Sequence, residues 1–293
     1  EGIDLMISIL GIGTGGSRIA ERFTGVPQYN VYVLNDKASE IDGAMVQKID
    51  CFETPEEYEK NIPDLKKFFK DIQEHVQVFI VGSSYSSNYS LGILEQIKDK
   101  KIDIFYVKPD TELLTGIPRL IDNTTFGVLQ EYSRSGLFNS FTAISNLSIE
   151  RNIENISIKN YYDSLNQTIF SSVHYLNYFT HTEPEISQVA KNSEMNRIRS
   201  IGILDTKNMK EKWLFDLHNP REVCYYLCIN EERLEKETGL HRRIVDMLKN
   251  KPKNAYRKNS YAIYETHLED FGFVIAHTNM TQTTNTLDKL EQE

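Results

Sequence analysis

Cysteine is scarce in this sequence, and its scarcity excludes a disulfide framework. The 293 residues include three cysteines, Cys51, Cys224 and Cys228. Such a small, odd number is typical of a reducing compartment, so we expect a cytoplasmic protein. Cys224 and Cys228 fall on one side of a predicted strand, and no further Cys or His completes a ligand set at metal spacing. We therefore expect core thiols and no metal site.

The sequence also lacks an excess of positive charge and long apolar runs. The sequence has 33 Lys and Arg against 42 Asp and Glu, a net charge of −9. A protein with this balance lacks the cationic surface that attracts nucleic acids and anionic membranes. No apolar run approaches the ~20 residues that cross a bilayer. We expect neither a nucleic-acid partner nor insertion into a membrane.

A cluster of glycines follows the first apolar run, residues 5–10, and leads into a helical pattern. The glycines are Gly11, Gly13, Gly15 and Gly16. A strand, a turn without Cβ atoms and a helix N-terminus together make an anion site, so phosphate binding is favoured over a purely structural turn. The spacing is G-x-G-x-x-G, and Asp36 lies twenty residues beyond Gly16. Taken alone, this pattern is also that of an NAD(P)-dependent enzyme.

Strand and helix patterns alternate through the first half of the chain. Strands are predicted at 5–10, 31–34, 76–81, 102–107 and 140–145, and helices at about 15–24, 55–74, 91–98 and 118–134. This alternation predicts a parallel sheet covered on both faces. Ligands of such sheets bind beyond the carboxyl ends of the strands, which is where the glycines and Asp36 fall.

A long amphipathic helix separates this half from a different second half. Its apolar positions are Ile158, Tyr162, Leu165, Ile169, Val173 and Leu176. Beyond it we predict strands at 198–204 and 223–229, a helix at about 231–250, an antiparallel pair at 261–265 and 271–276, and a frayed polar tail after Thr278. The predicted units are a nucleotide-binding domain (1–156), the central helix and following loop (157–182), a second α+β domain (183–280) and a polar tail (281–293).

From about residue 5 to 277, the order of elements resembles the tubulin/FtsZ superfamily. The resemblance implies an α/β fold with a Rossmann-like parallel sheet as GTPase domain, a long central helix and a smaller α+β C-terminal domain. The implied ligand is GTP or GDP, with or without Mg²⁺. The implied partner is a second copy in a head-to-tail cytoskeletal filament, or a related filament protein.

The family's nucleotide-binding positions match residues in each loop of this sequence. They are Gly11, Gly13, Thr14, Gly15, Gly16 and Arg18 in the first loop and helix, Asn35 and Asp36 after the second strand, Gly82, Ser83, Ser84, Ser86, Ser87 and Asn88 in the phosphate-gripping signature loop, Pro109, Glu112 and Arg119 near ribose and phosphate, Asn146 after a further strand, and Tyr162 and Asn166 on the core helix, where the family contacts the base.

Several of these loops depart from the family pattern. The signature loop (residues 82–88) keeps one glycine, Gly82, and has four serines, Tyr85 and Asn88 at its other positions. Arg18 stands where the family usually has Asn, which leaves guanine and adenine both open. The loop at 51–56 is acidic and would repel a triphosphate unless a metal intervenes. The helix between the first two strands of the second domain is expected to be short, at about 209–218.

The loop after the core helix is altered as well. In the family it enters the next subunit's nucleotide site and orients the attacking water. Here the matching residues are Glu185 and Gln188, which we expect to be the catalytic pair. A solvated acidic loop at 183–189, a polar turn at 83–88, and plain core or surface roles for Tyr162 and Asn166 are the alternatives. The altered signature and catalytic loops also leave open a pseudo-GTPase, which keeps the fold and acts as a scaffold or a regulator of filaments.

Overall fold

A parallel sheet forms the first half of the molecule. The structure is a computed structural model, which describes residues 6–37, 39–153, 156–189, 194–253 and 257–283. Its strands are β1 (Ile7–Ile12), β2 (Tyr29–Asn35), β3 (Ala44–Lys48), β4 (His75–Val81), β5 (Lys101–Lys108) and β6 (Ser140–Ser145). They pair in the order β3-β2-β1-β4-β5-β6, all parallel. Except for the edge strand β3, they are almost wholly buried, as their runs of Val, Ile, Leu and Phe require.

Helices cover this sheet. They are α1 (Gly13–Glu21), α2 (Pro55–Lys60), α3 (Ser90–Glu95), α4 (Ile117–Arg134) and α5 (Asn146–Asn152). A capping box of Thr54 and Glu57 starts α2, with Pro55 in its first turn. The helix predicted over 55–74 is wrong beyond Lys60, because Pro63 disfavours helical geometry in the residue before it.

The predicted central helix is α6 (Tyr161–His181). Its buried face joins a hydrophobic cluster that includes residues of β1, β4 and β5 together with residues of the second half, such as Ile201 and Phe273. The helix therefore packs against both halves of the molecule. The first two positions of the predicted apolar stripe are not core residues, since Ile158 precedes the helix at 95% exposure and Tyr162 is 63% exposed.

The second half continues the same sheet. Its strands are β7 (Ile186–Gln188), β8 (Ile198–Asp205), β9 (Lys210–Trp213), β10 (Glu222–Asn230), β11 (Lys258–Thr266) and β12 (Phe271–Thr278). The order runs on from β6 as β8-β12-β10-β11-β7, with β9 beside β8, and makes a 12-stranded sheet. Helices α7 (Glu231–Lys236) and α8 (Leu240–Lys249) replace the predicted helix over 231–250, which breaks at Gly239 with φ +75°.

Two predictions for the second half are wrong. Residues 209–218 hold the short strand β9, antiparallel to β8, and not a helix. The segments at 261–265 and 271–276 lie in β11 and β12, but these strands do not pair with each other. Strand β10 lies between them, parallel to β11 and antiparallel to β12. Cys224 and Cys228 on β10 are buried thiols, as expected.

The residues just after β12 are ordered, contrary to the prediction of a frayed tail after Thr278. Gln282 is 2% exposed. Its backbone N–H donates to Oε1 of Gln130 on α4 (2.6 Å), and its Oε1 accepts from the backbone N–H of His218 (2.7 Å). One residue thus joins the two halves through its backbone and its side chain. The predicted tail at 281–293 otherwise falls outside the described residues, from 284 onward.

A buried polar cluster lies close to where β6 meets β8. Asp103 on β5 accepts hydrogen bonds from His75 Nε2, Asn139 Nδ2 and Ser140 Oγ, each at 2.6 Å. Burial raises the pKa of Asp103, but these bonds and the nearby Arg199 outweigh it and lower the pKa. Arg199 Nε donates to Thr142 Oγ1 at 2.6 Å, between the paired strands β8 and β6. The cluster ties the two halves together.

Candidate functional site

The turn at residues 11–16, the glycine turn, has no room for side chains at its four glycines. Gly13 has φ +76°, and a Cβ on it would lie 2.1 Å from Ser86 Oγ. A Cβ on Gly11 would lie 2.5 Å from the carbonyl oxygen of Gly16. Helix α1 starts at Gly13 with no side-chain cap and no acidic residue in its first turn. Its first N–H groups are therefore left for an anion.

The signature loop lies directly against the glycine turn. It contains a 3₁₀ turn (Tyr85–Tyr89) that runs straight into α3. Ser84 and Ser86 share a hydrogen bond between their hydroxyls at 2.7 Å, and Ser87 Oγ donates to the Ser84 carbonyl at 2.5 Å. Asn88 Nδ2 donates to the Tyr85 carbonyl at 2.9 Å. These four polar side chains thus form hydrogen bonds within the loop, and the Ser86 hydroxyl faces Gly13.

A buried ion pair supports the start of the signature loop, and sequence reasoning missed it. Lys108 Nζ at the end of β5 lies 2.7 Å from Asp122 Oδ2 on α4, with the two side chains 7% and 0% exposed. Tyr106 donates to the other oxygen of Asp122 at 2.6 Å. A Cβ on Gly82 would lie 2.1 Å from that same oxygen. Burial lowers the pKa of Lys108, and Asp122 opposes this shift.

A pocket of about 460 Å³ opens between α1 and α6. It is lined by Arg18, Glu21, Arg22, Tyr162, Asp163 and Asn166. Arg22 is held in place by an ion pair with Asp163 and by a hydrogen bond to Gln167 Oε1 at 2.7 Å. Three of the predicted site residues, Arg18, Tyr162 and Asn166, are therefore brought to one pocket. The contact of Arg22 with Asp163 had no sequence signal, because the two residues lie 141 positions apart.

The other predicted binding residues follow the carboxyl ends of neighbouring strands. Asn35 ends β2, and its Oδ1 accepts from Thr14 Oγ1 at 3.3 Å. The half-buried Asp36 comes next. Pro109 follows β5, and Asn146 begins α5 directly after β6. The exposed Glu112 and the half-buried Arg119 lie in the loop after β5 and the first turn of α4.

The acidic loop at 51–56 is fixed to the signature loop by tyrosines. Tyr58 accepts a hydrogen bond from the Phe52 N–H at 3.0 Å, and Tyr89 donates to the Asp50 carbonyl at 3.0 Å. Burial and the charge of Asp50 raise the pKa of Tyr89 to about 12. In the described part of the chain, no group of three or more His, Cys, Asp or Glu is placed to hold a metal ion.

Glu185 and Gln188 lie far from the glycine turn. Both are exposed; Gln188 ends the edge strand β7, and the Glu185 N–H donates to the Ile263 carbonyl of β11 at 2.8 Å. Tyr162 of the pocket is at the start of α6, whereas β7 follows the end of that helix. The 21 residues of α6 span ~30 Å at ~1.5 Å per residue. The structure does not bring this pair to the other predicted residues.

The arrangement fits a nucleotide. An uncapped helix start without space for side chains suits a phosphate, and the pocket one to two helical turns further along α1 suits a base. The loop after β5 also follows the carboxyl end of a strand, where ligands of such sheets bind. None of the described helices combines the length and apolarity that crossing a membrane requires.

Comparison with known structures identifies the fold of this chain. No protein-family model matches the sequence, and no curated protein matches it. An FtsZ dimer from M. jannaschii is similar over 97% of this chain and 91% of its own, with a TM-score of 0.71 and 12% identity. A GTPγS-form protofilament of TubZ from Bacillus thuringiensis serovar israelensis matches over 100% and 94%, at TM-score 0.70 and 13% identity. CetZ from Methanosaeta thermophila matches over 98% and 89%, at 0.66 and 12%. This chain has the tubulin/FtsZ fold.

Proposed function

We propose that this protein binds GTP and GDP and assembles head to tail into filaments, with hydrolysis completed by the next subunit. One observation carries the binding proposal. The uncapped start of α1, where Gly13 has no space for a side chain against Ser86, lies at the same end of the sheet as the α1/α6 pocket. The similar TubZ has been solved as GTPγS-form and GDP-form protofilaments, which supports both parts of the proposal.

Each part of the site has a task in this proposal. The N–H groups at the start of α1 hold phosphate oxygens, and the hydroxyls of Ser84 and Ser86 add donors from the signature loop. Asn35 orients Thr14 beside the glycine turn. Tyr162 stacks on the base, and Asn166 donates to or accepts from its edge. The loop of Pro109, Glu112 and Arg119 and the start of α5 at Asn146 close the ribose side.

The catalytic step requires a second subunit. Glu185 and Gln188 are separated from their own α1/α6 pocket by the length of α6, ~30 Å, so they cannot act on their own nucleotide. In a head-to-tail contact, they would reach the nucleotide of the neighbouring copy and orient water there. A contact of this kind joins two different surfaces, so it repeats without closing and makes an open filament.

A measurement of GTP binding and turnover against protein concentration, with light scattering followed in the same sample, tests the proposal. Turnover that rises steeply above a threshold concentration, together with scattering, is the expected result. Turnover strictly proportional to protein at all concentrations would contradict completion of the site between subunits.

A second candidate, the pseudo-GTPase, is favoured by two contacts. The serines of the signature loop bond to one another, and β7 is tied to β11 through Glu185 and Ile263. Tight GTP binding without turnover would establish this candidate instead. Saturable NADH binding that GTP does not displace would point to the dinucleotide alternative drawn from the glycine spacing and Asp36.

A further inference from the structure

Two short segments of this chain carry opposite charge at high density. Residues 50–59 contain five carboxylates and no Lys or Arg: Asp50, Glu53, Glu56, Glu57 and Glu59. Residues 249–258 contain five cations and no Asp or Glu: Lys249, Lys251, Lys253, Arg257 and Lys258. We call the first set the acidic segment and the second set the basic cluster. Because the net charge of the whole chain is −9, the basic cluster is a local exception that attracts negative charge.

The carboxylates of the acidic segment face solvent. All five residues are exposed, and none of them forms an ion pair within the residues that the structure describes. The Glu57 side chain caps the start of α2 by accepting from the Thr54 N–H at 3.2 Å. The acids do not form a metal site either, since the described ranges contain no group of three or more His, Cys, Asp or Glu placed to hold an ion. Their charge is therefore available to a cationic partner.

The basic cluster contains both paired and unpaired lysines. Lys249 and Lys251 lie 3.2 and 3.6 Å from a carboxylate oxygen of their own half of the molecule. Lys253 and Lys258 are exposed, and neither forms an ion pair with another described residue. These two ammonium groups are therefore available to an anionic partner.

The sheet topology places the acidic segment and the basic cluster at opposite ends of the molecule. The acidic segment follows β3, so it lies at the carboxyl ends of the parallel strands β1 to β6. The basic cluster flanks the start of β11, which is parallel to β10. Strand β10 is antiparallel to β12, β12 is antiparallel to β8, and β8 is parallel to β6. The start of β11 therefore lies at the other end of the sheet, and each copy has one negative and one positive end.

Each of the two charged surfaces adjoins one part of the proposed site. Tyr89, which ends the 3₁₀ turn of the signature loop, donates to the Asp50 carbonyl of the acidic segment. On the other side, Lys258 lies three residues before Tyr261, the partner of Gln188 on β7, which is ~10 Å along β11. A contact in which the predicted catalytic pair reaches the nucleotide of the next copy therefore brings the basic cluster towards the acidic segment of that copy.

We propose that the basic cluster of one copy binds the acidic segment of the next copy, and that this charge pairing sets the head-to-tail direction of assembly. The inference rests on the proposed function and adds the two surfaces that meet. Unlike ends attract and like ends repel, so the head-to-tail contact is the one that is favoured. The cations of the neighbour also offset the negative charge that would otherwise repel a triphosphate near the acidic segment.

Charge reversal at each end tests the inference. The basic-end variant carries Lys253→Glu and Lys258→Glu, and the acidic-end variant carries Glu56→Lys and Glu59→Lys. All four side chains are exposed, and the capping Glu57 is kept, so both variants should fold. Pelleting with GTP measures the threshold concentration for assembly, which should rise at least about ten-fold in each variant, because every contact between copies is weakened. The basic-end variant should bind GTP with unaltered affinity, because its changed residues lie at the end away from the nucleotide.

A mixture of the two variants separates a lost contact from a folding defect. The basic-end variant keeps its acidic segment, and the acidic-end variant keeps its basic cluster, so one copy of each can form one intact contact. The two ends that remain are both altered, so the pair cannot extend. Sedimentation velocity with GTP, several-fold above the threshold of the unaltered protein, should show one-to-one dimers in the mixture and monomers in each variant alone.

The control carries Lys236→Glu and Arg242→Glu, which make the same change of net charge at side chains that are 71% and 74% exposed on α7 and α8. Its threshold should equal that of the unaltered protein. An unchanged threshold in the basic-end variant, an equal rise in the control, or a mixture without dimers would each overturn the inference and leave the proposed function intact. Failure of the unaltered protein to assemble with GTP would overturn the proposed function together with the inference.

Discussion

Gly13 is the residue on which the proposed phosphate site depends most directly. Its φ of +76° disfavours any side chain, and the space that a side chain would fill is already occupied by Ser86 Oγ. The signature loop would have to move away from α1 to admit one. The consequence is a displaced phosphate site in a fold whose core is not touched.

We predict that Gly13→Val abolishes GTP binding, measured by equilibrium titration, with circular dichroism as a check of folding. Gly127→Val is the matched control. Gly127 lies on α4 with nothing within 4 Å of its Cβ position, so this variant keeps its affinity for GTP. Unaltered affinity in folded Gly13→Val would remove the glycine turn from the site.

The buried His277 makes the stability of the folded protein depend on pH. Complete burial, with a smaller contribution from Arg199, lowers its pKa to about 3, whereas an unfolded His titrates near ~6.5. As the pH falls, the unfolded chain therefore binds a proton at His277 that the folded chain does not bind. Stability is full above pH ~6.5 and falls as the pH drops from there towards about 3.

Urea unfolding at pH values from about 7.5 down to about 5 measures this effect. We expect His277→Gln to flatten the dependence, while burial of His174 and His181, which lowers their pKa values, keeps part of it. The control is His267→Gln. Glu231 raises the pKa of this exposed residue, so its loss cannot flatten the acid slope. An unchanged slope in His277→Gln would contradict the assignment.

At the scale of elements, the pair of Lys108 and Asp122 connects β5, α4 and the signature loop. Removal of one partner leaves a buried charge without its counter-charge, which typically costs ~3–5 kcal/mol. We predict that Lys108→Met lowers the free energy of unfolding by roughly this amount, and that adding Asp122→Asn recovers much of it. Urea unfolding of both variants measures the difference.

The exposed pair of Lys98 and Glu95 provides the comparison for this prediction. Both side chains are more than half exposed, so Lys98→Met should change stability far less than Lys108→Met does. Equal small effects of Lys98→Met and Lys108→Met would show that the buried pair does not hold β5 to α4.

The elements that could be predicted from the sequence are those whose own residues show a hydrophobic pattern. The apolar runs of β1, β4 and β5 and the long stripe of α6 are such elements, and the positions of the candidate binding residues after strand ends followed from them. Strands β3, β7 and β9 are three to five residues long, half-buried or exposed, and defined by the strands they pair with. Lys108 and Asp122 lie on separate elements, so no local sequence pattern predicts their contact.

At the scale of the whole molecule, the proposed site is divided between the two ends of α6. The α1/α6 pocket lies at the start of this helix, and Glu185 lies beyond its end. We predict that Glu185→Ala abolishes GTP turnover but not GTP binding, because its task is to orient water in a neighbouring copy. Turnover at the rate of the unaltered protein would show that the catalytic pair is misassigned.

Mixing two inactive variants tests this division directly. Gly13→Val subunits lack a nucleotide but keep Glu185, whereas Glu185→Ala subunits bind nucleotide but lack the acid. Each is expected to be inactive alone, and the mixture should recover part of the turnover because a Gly13→Val copy can serve the nucleotide of its neighbour. No recovery, with both variants folded, would contradict action between copies.

The junction between β6 and β8 has a mechanical consequence. The sheet of this molecule is broad, yet its two halves are joined there by two residue pairs, Phe141 with Ile198 and Thr142 with Arg199. A sheet bends most easily where the fewest residue pairs connect neighbouring strands. Strain applied to one half is therefore expected to concentrate at this junction, where Arg199 on β8 donates to Thr142 on β6.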